Sequence, residues 1–419
     1  MRRRVGRNTS HPRPRTLTAV ATAPPRRSLI AFGGVSFAYF AYAGLFSAYA
    51  PLWFGFLGYS TFAIGVLAAV QSATRVLSPY AWGWLADHTG ERIRLLRLAI
   101  GLSLLCACGY LVAPDYAWVL AVTAALFLCT AGVVPISEAA LAHLVSPGER
   151  LDAGRYGRVR VWGSVGFILA VSASGFLLQA LGVDRFPSLV IALLALLLAA
   201  AQRLPAITEP PHAQTDAAGA LILLKQPAVA WFFAGVFFTV LAHTALYAFL
   251  SLYLATLGYG RGAIGLIWAA GVTIEVLWFW FQGRWLPRLS LQGWLLLAAL
   301  LSVLRFALLA AFAGVWWILL IAQGLHAFTF AAQHTACIAV INRYFPGRLR
   351  GRGQALYTVL GYGASGVLGG IIGGMISQAY GFPAVYWAAS GSALVAVACC
   401  WRARLHERRT DLRGRPARG

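Results

Sequence analysis

Long apolar blocks separated by short polar segments run along almost the whole chain. A membrane-spanning helix needs about 20 predominantly apolar residues. Pro, Gly and charged residues separate the blocks, as in the Pro-Gly-Glu-Arg segment at 147–150. The pattern predicts an all-α membrane protein with twelve transmembrane helices, at residues 29–54, 61–84, 95–113, 117–143, 159–181, 186–202, 228–254, 262–282, 291–312, 315–341, 353–379 and 382–401.

The composition excludes two broad classes of protein. Hydrophobic residues make up 60% of the chain and charged residues 11%, whereas soluble domains carry about 25% charged residues. An ordinary soluble enzyme and a disordered chain are therefore both excluded. The net charge of +22 is typical of nucleic-acid-binding proteins, but the basic residues lie in tails and loops between apolar blocks. We expect a lipid bilayer as the partner and no nucleic acid.

The basic residues also predict an orientation. Residues 1–28 hold eight arginines and residues 402–419 hold seven, whereas the loops on the opposite side hold only Arg185 and Arg261. Cytoplasmic segments of membrane proteins carry the excess of Lys and Arg. We therefore expect both tails in the cytoplasm and the helices in the inner (cell) membrane. An organelle transit peptide is the alternative for residues 1–28.

The two halves of the chain resemble each other. Leu-Gly-Tyr followed four residues later by Ala-Ile-Gly occurs at 57–65 and again at 257–265. The polar segment 204–227 would then be a cytoplasmic linker between six-helix bundles at 29–203 and 228–401. Two parallel six-helix repeats, with a site between them near the midplane, are the architecture of major facilitator transporters.

A loop motif supports the same fold. Residues 83–92, Gly-Trp-Leu-Ala-Asp-His-Thr-Gly-Glu-Arg, resemble the signature loop of the major facilitator superfamily after its second helix. Gly83 would permit close helix approach and Gly90 a tight turn, while Asp87 would pair with Arg92. We predict a gating loop that holds the cytoplasmic side shut in one state. A solvated cluster of loop charges is the alternative.

Seven glycines crowd the eleventh helix, between residues 361 and 374. Small residues at near-helical spacing let membrane helices pack closely and slide. This stretch is predicted to be an interface that moves, and not a ligand site.

Two segments resemble the phenylpropionate permease and lactose permease branch of the superfamily. They are Pro-Ile-Ser-Glu-Ala at 135–139 and Tyr-Gly-Arg-Val-Arg-Val-Trp-Gly-Ser-Val-Gly-Phe at 156–167. In lactose permease, the acid at the position of Glu138 and the arginine at the position of Arg160 hold the sugar. The resemblance implies that this pair binds substrate here. The phenylpropionate permease is also similar at His243, Tyr247, Glu275, Arg305, His326 and His334.

Ionisable residues inside spans are costly and are candidates for functional sites. With a rise of about 1.5 Å per residue, Glu275 and His326 lie at similar depth and Arg305 is within side-chain reach. We predict that these three form one polar cluster, with Glu275 as the proton carrier. In lactose permease an acid carries the proton, and the matching position in this chain is occupied by Thr329. His334 lies on the same helix face as His326. A static buried ion pair is the alternative.

Arg75 is the residue most informative about the substrate. An unpaired arginine in mid-span needs an anion, and a carboxylate can satisfy it through two hydrogen bonds. Aromatic residues on the first, seventh and tenth helices suit an aromatic body, and we expect about a third of them to touch it. These are Phe37, Tyr39, Tyr42, Phe46, Tyr247, Phe249, Phe328 and Phe330.

These observations predict a monomeric, proton-coupled symporter of a small aromatic carboxylic acid that works by alternating access. Substrate binding is assigned to Arg75, Glu138, Arg160, His243 and Tyr247. An oligosaccharide or nucleoside symporter, an efflux antiporter, and a membrane sensor or enzyme remain as alternatives. No metal-ligand spacing, phosphate-binding loop or nucleophile–base arrangement is present, so we expect no cofactor and no enzymatic activity.

Overall fold

The computed structural model describes residues 26–146, 152–206 and 222–413. Within these ranges it has twelve helices long and apolar enough to cross a membrane, which confirms the twelve apolar blocks. We number them α1–α12. They are Arg26–Phe56, Thr61–Thr89, Arg92–Leu111, Tyr116–Leu144, Gly154–Leu181, Val183–Gln202, Pro227–Thr256, Arg261–Arg288, Leu291–Phe312, Trp316–Tyr344, Arg350–Tyr380 and Phe382–Arg408.

Several predicted features lie outside the described residues. These are most of the N-terminal tail, the Pro-Gly-Glu-Arg loop at 147–150, the middle of the linker and the last residues of the C-terminal tail. Because the number of spans is even, α1 begins and α12 ends on the same side of the membrane. We call this the tail side and the opposite one the far side.

Both halves of the chain use the same turn at the far side. Gly58 and Gly258 end the first helix of each half with φ of +82° and +86°, a conformation that only glycine adopts without strain. The tyrosine after each glycine then donates its hydroxyl to a backbone carbonyl two helices further on: Tyr59 to Pro114 at 2.6 Å and Tyr259 to Ala313 at 3.2 Å. The sequence repeat is therefore also a structural repeat.

Replacing Gly58 by alanine is expected to lower the free energy of unfolding by about 1–2 kcal/mol, the cost of a left-handed conformation for a residue with a side chain. No heavy atom lies within 4 Å of a Cβ built at Gly58, so the effect isolates backbone strain. The measurement is denaturant unfolding in detergent. The matched control is Gly101→Ala in the interior of α3, which also has open space and should be stabilised by up to about 1 kcal/mol. Equal effects at both positions would contradict the argument.

Two spans contain π-helical segments. Residues Ala327–Ala332 form one within α10, and Tyr357–Ala364 form another within α11. In addition, α4 is interrupted by a turn at residues 131–132. A π segment is rare and occurs frequently at functional sites. Irregular backbone inside a membrane is tolerated only where it is buried in protein or lines a cavity.

The far side of the molecule is closed by contacts between α2 and α11. A Cβ built on Gly370 would lie 2.5 Å from the carbonyl oxygen of Gly65, so the two backbones touch. Gly366 packs on Ser72 one turn further towards the tail side. The glycines of α11 thus form a close helix interface, in agreement with the small-residue pattern. The expectation that this stretch avoids a ligand site is not met, because Tyr362 and Gly366 also line a cavity between the two halves.

Hydrogen bonds between α5 and α8 close the same side. Arg261 donates through Nη1 to the carbonyl of Leu178 at 3.0 Å, and the Gly262 amide donates to Oε1 of Gln179 at 2.9 Å. The Tyr49 hydroxyl of α1 contacts the carbonyl of Arg261 at 3.3 Å. These three contacts join α1–α6 to α7–α12 at the far-side end of the molecule.

Candidate functional site

A central cavity lies between the two halves and has two lobes. One lobe, of about 280 Å³, contains Arg75, and the other, of about 310 Å³, contains Glu275. We call them the Arg75 lobe and the Glu275 lobe. Tyr247 and Phe330 line both, so these two side chains separate the lobes. Both lobes are lined by residues from helices of each half, as expected for a site between two repeats.

Arg75 enters its lobe from the middle of α2. Its side chain is exposed and lines the cavity. Within the described part of the chain, it has no hydrogen bond or ion pair. Its electrostatic neighbours are the hydroxyls of Tyr39, Tyr42 and Tyr247. A guanidinium has five N–H donors and no acceptor, so this group is available to an anion.

Glu138 and Arg160 pair with each other and not with Arg75. Nε of Arg160 donates to Oε1 of Glu138 at 2.8 Å, and both side chains are about one-third exposed, at 36% and 35%. The guanidinium carbon of Arg160 lies 4.3 Å from the ring centroid of Phe40. Arg160 also lines the Glu275 lobe. The pair stands at the cavity with capacity for further hydrogen bonds.

A buried polar cluster surrounds Arg305 behind the Glu275 lobe. Arg305, 1% exposed, donates to Nδ1 of His326 at 2.9 Å, to Oγ1 of Thr329 at 3.0 Å and to Oε1 of Gln323 at 2.8 Å. Nε2 of His326 faces Oε2 of Glu275 at 3.6 Å. Because Arg305 can only donate, Nδ1 of His326 accepts and the ring proton is on Nε2. The structure thus brings Glu275, Arg305 and His326 together.

Two of the predicted histidines do not line the cavity. His243 is 3% exposed, and its ring packs edge-on against Phe306 at 5.2 Å. His334 stacks on Phe330 at 6.1 Å, and its Nδ1 is 3.1 Å from the Tyr357 hydroxyl. Helical spacing placed both residues in the right region, but it could not show which side chains they pack against.

The aromatic walls differ in part from the expected set. Of the eight predicted rings, Phe46, Tyr247 and Phe330 line the cavity. Phe54 was missed, although it follows Phe46 by eight residues and therefore shares its helix face. Phe328 instead packs on Trp278. The other lining rings that the sequence did not single out for contact are Phe40, Phe167, Trp268 and Tyr362.

The loop between α2 and α3 forms its predicted ion pair. Nη2 of Arg92 donates to Oδ1 of Asp87 at 3.0 Å. Gly90 caps α2 with φ of +66° and donates its N–H to the Ala86 carbonyl. Gly83 differs from expectation: nothing lies within 4 Å of a Cβ built there, so it allows no close helix approach in this conformation. Helix contact on α2 is made by Gly65 instead.

Metal ligation has no support in the part of the chain that the structure describes. It contains no group of three or more His, Cys, Asp or Glu side chains that could hold a metal ion.

Comparison with known proteins identifies relatives over most of the chain. The probable 3-phenylpropionic acid transporter of Escherichia coli (strain K12) is 29% identical over 371 residues, which is 86% of this chain and 94% of that protein. The maltose permease of Geobacillus stearothermophilus is 29% identical over 339 residues, or 77% of this chain and 81% of that protein. These relatives are transporters and not enzymes.

A solved structure supports the fold. The crystal structure of the nucleoside transporter NupG aligns with a TM-score of 0.80 at 17% identity, covering 90% of this chain and 98% of NupG. Residues 29–388 match the MFS_1 like family. The twelve helices, the repeated halves, the central cavity and these matches together show a multi-pass membrane protein that belongs to the MFS_1 like family, a major facilitator transporter of the phenylpropionate permease-like branch.

Proposed function

We propose that the protein is a proton-coupled symporter of a small aromatic carboxylic acid. The observation that carries the proposal is the Arg75 guanidinium, which lines a cavity without an ion-pair partner among the described residues. A guanidinium has five N–H donors and no acceptor, and it pairs with a carboxylate through two parallel hydrogen bonds. A substrate carboxylate would supply the missing charge and two hydrogen bonds.

The walls of the Arg75 lobe suit an aromatic body. Phe46, Phe54 and Phe330 line it together with the hydroxyl-bearing rings of Tyr247 and Tyr362. Small-ligand sites are mostly apolar, with a few polar groups that fix orientation. The name of the Escherichia coli relative, a probable 3-phenylpropionic acid transporter, agrees with an aryl acid of this size.

Proton coupling is assigned to the Glu275 lobe. Glu275 faces His326, which is held by Arg305. A carboxylate next to a buried cationic group is stabilised in its charged form, whereas desolvation favours its neutral form. An anion on Arg75 would bias this balance across Tyr247 and Phe330, which border both lobes. One proton would therefore accompany one carboxylate. His326 and His334 would assist, while His243 would support the wall as a buried residue.

We place the tail side in the cytoplasm, because the arginine-rich tails favour it. The conformation described above, sealed on the far side, is then the one that faces inward, and transport proceeds by alternating access in the inner membrane. The Asp87–Arg92 pair would stabilise the cytoplasmic loop in one of the two states. A monomer contains the complete site.

The test is uptake of labelled 3-phenylpropionate into liposomes that hold the purified protein, with and without an inward proton gradient. Because weak aromatic acids also cross bilayers unaided, initial rates above those of protein-free liposomes are compared. Gradient-stimulated uptake that a protonophore removes is the expected result. Saturable uptake without stimulation would overturn proton coupling, and no uptake above protein-free liposomes would overturn the substrate. Efflux from loaded liposomes under an opposing gradient tests antiport.

The second candidate is symport of an oligosaccharide or nucleoside. The hydrogen-bonded Glu138–Arg160 pair at the cavity favours it, because sugar hydroxyls both donate and accept. The maltose permease relative agrees. Uptake of labelled maltose or uridine in the same liposomes, with no uptake of the acid, would select this candidate and make Arg75 a structural residue.

A further inference from the structure

Some of the polar side chains that line the Arg75 lobe already have hydrogen-bond partners in the protein. Ser72 and Thr244 donate their hydroxyls to carbonyl groups of the preceding turn of their own helices, at 3.1 Å and 3.2 Å. The hydroxyl of Tyr362 lies 3.2 Å from the hydroxyl of Tyr357. These groups do not require a ligand to satisfy them.

Other polar side chains of the same lobe have no partner. Gln71 and Ser47 line it and are half-buried, yet neither side chain makes a hydrogen bond within the described part of the chain. The hydroxyl of Tyr247 is likewise unbonded there, but it borders both lobes and is already assigned to the substrate. A carboxylate on Arg75 would leave Gln71 and Ser47 without a contact. Since burying a polar group without a hydrogen bond is unfavourable, both side chains indicate a second polar group on the ligand.

The two side chains lie at one level, on the far side of Arg75. Gln71 is ten residues from the far-side start of α2, and Ser47 is nine residues from the far-side end of α1. With a rise of about 1.5 Å per residue, both are about 14–15 Å deep, whereas Arg75 is about 6 Å deeper. Gln71 and Arg75 also share one face of α2, because four residues separate them. A ligand whose carboxylate binds Arg75 can therefore extend towards Gln71 and Ser47.

The wall of the lobe continues in this direction and is apolar. Phe46, Ala50 and Phe54 of α1 line it, together with Ile64 and Ala68 of α2. These side chains suit the body of an aromatic ring. Gln71 and Ser47 stand in the same wall as its polar positions, so a polar substituent on the ring would meet them.

The charge of the lobe limits what that substituent is. Arg75 is the only charged side chain among the described residues that line this lobe. A second carboxylate would lack a cation there, and an ammonium group would lack an acid; an unpaired buried charge is costly. An amide and a serine hydroxyl are neutral, and each both donates and accepts. A phenolic hydroxyl, which also does both, matches them.

We propose that the preferred substrate is an aromatic carboxylic acid with a hydroxyl group on its ring, and that Gln71 and Ser47 bind this hydroxyl. The inference rests on the proposed function and names the substrate class within it. Gln71 and Ser47 are then specificity-determining residues, because a site that is built to hydrogen-bond a substrate hydroxyl discriminates against the analogue that lacks it.

The test compares binding of 3-phenylpropionate with binding of its 3-hydroxyphenyl and 4-hydroxyphenyl analogues to the purified protein, by calorimetry. The tighter of the two hydroxylated acids should bind about three- to tenfold more tightly than 3-phenylpropionate, the range expected for a neutral hydrogen bond. In Gln71→Met, which keeps an unbranched side chain of similar length, this ratio should fall to about one. Ser47→Ala should lower it in part. A ratio is used because a general loss of affinity cancels from it.

Ser72→Ala is the matched control. Ser72 is the next residue along α2 and lines the same lobe, but its hydroxyl is already donated to a backbone carbonyl, so the ratio should be retained. A ratio of about one in the unaltered protein would overturn the inference, whether or not any variant folds. It would also be overturned by a ratio that persists in both Gln71→Met and Ser47→Ala, or that falls equally in Ser72→Ala.

A second comparison tests the charge of the lobe. The free amino acid tyrosine has the carboxylate and the ring hydroxyl of 3-(4-hydroxyphenyl)propionate and adds one ammonium group. It should bind about tenfold more weakly or worse, because no acid in the lobe pairs with that group. The same loss is expected for 3-(4-carboxyphenyl)propionate, which places a second carboxylate at the ring. Equal binding of either compound would contradict the assignment of a neutral hydroxyl.

These outcomes separate the inference from the function on which it rests. If none of the aromatic acids binds, the proposed function fails and the inference fails with it. If 3-phenylpropionate and the hydroxylated acids bind equally, the proposed function stands and only the role of Gln71 and Ser47 is overturned. Gradient-driven uptake of the labelled hydroxylated acid in liposomes then shows that the compound that binds is also carried.

Discussion

Replacing Glu275 by glutamine is expected to abolish accumulation driven by a proton gradient and to preserve exchange of substrate. Glutamine has the shape of a protonated carboxyl group and cannot release a proton. A gradient of one pH unit supplies about 1.4 kcal/mol per proton, or about tenfold accumulation. The E275Q variant should show none of this accumulation above the passive level, because substrate and proton no longer move together.

The choice of Glu275 follows from the small number of acids in the spans. Between residues 228 and 401 it is the sole Asp or Glu. The other carboxylate in mid-span, Glu138, accepts a hydrogen bond from the guanidinium of Arg160 at 2.8 Å. Glu275 lies 3.6 Å from a neutral histidine and is not held by a guanidinium, so its charge is free to change.

Glu138→Gln is the matched control. It removes a carboxylate from the same cavity and should reduce affinity or turnover, yet the residual uptake should still respond to the gradient. Both variants are measured for gradient-driven uptake and for exchange in the same liposomes. Gradient-driven accumulation that persists in E275Q, or that disappears only in the Glu138 variant, would show that the proton is carried elsewhere.

The second large effect is expected at Arg75. Its replacement by glutamine should weaken binding of 3-phenylpropionate by about tenfold or more, because a hydrogen bond to a charged group contributes about 1.5–3 kcal/mol. Arg75→Lys should recover only part of the affinity, since an ammonium group cannot reproduce the planar two-point contact of a guanidinium with a carboxylate.

A neutral analogue makes this prediction specific to charge. Binding of 3-phenylpropanamide to the purified protein should change little in Arg75→Gln, whereas binding of the acid falls. Arg284→Gln serves as the control for loss of a positive charge, because Arg284 is exposed at the tail-side end of α8. If acid and amide lose affinity equally, Arg75 shapes the lobe and does not recognise the carboxylate.

The sequence predicted the twelve spans well, because each requires a long apolar block whatever its neighbours are. The motif at 57–65 and 257–265 predicted that the two halves are related, and the structure adds that Gly58 and Gly258 form the same left-handed turn in both. The proximity of Glu275, Arg305 and His326 could be predicted from the depth of each residue in the membrane, because the rise per residue of a helix is constant. The pairing of Asp87 with Arg92 required only their separation in a short loop.

The direction in which each side chain points and the conformational state of the protein were harder to predict. His243 and His334 have the depth of cavity residues, but neither lines the cavity, and helical spacing carries no information on their tertiary neighbours. Gly83 was expected at a helix contact, yet in this state the halves touch at Gly65. The π segments of α10 and α11 were not predicted either, because they depend on tertiary packing and have no composition of their own.

Because the backbones of Gly65 and Gly370 touch, the fit between α2 and α11 influences which conformation the protein adopts without a ligand. Since this contact has no room for a β-carbon, one added methyl group penalises the conformation in which the two backbones touch. Overpacking costs about 1–3 kcal/mol, and about 1.4 kcal/mol changes a population ratio tenfold. The proportion of molecules in this conformation therefore depends on residues that do not line the cavity. The rate of transport can thus change independently of selectivity, through the substitution of a single small residue at this contact.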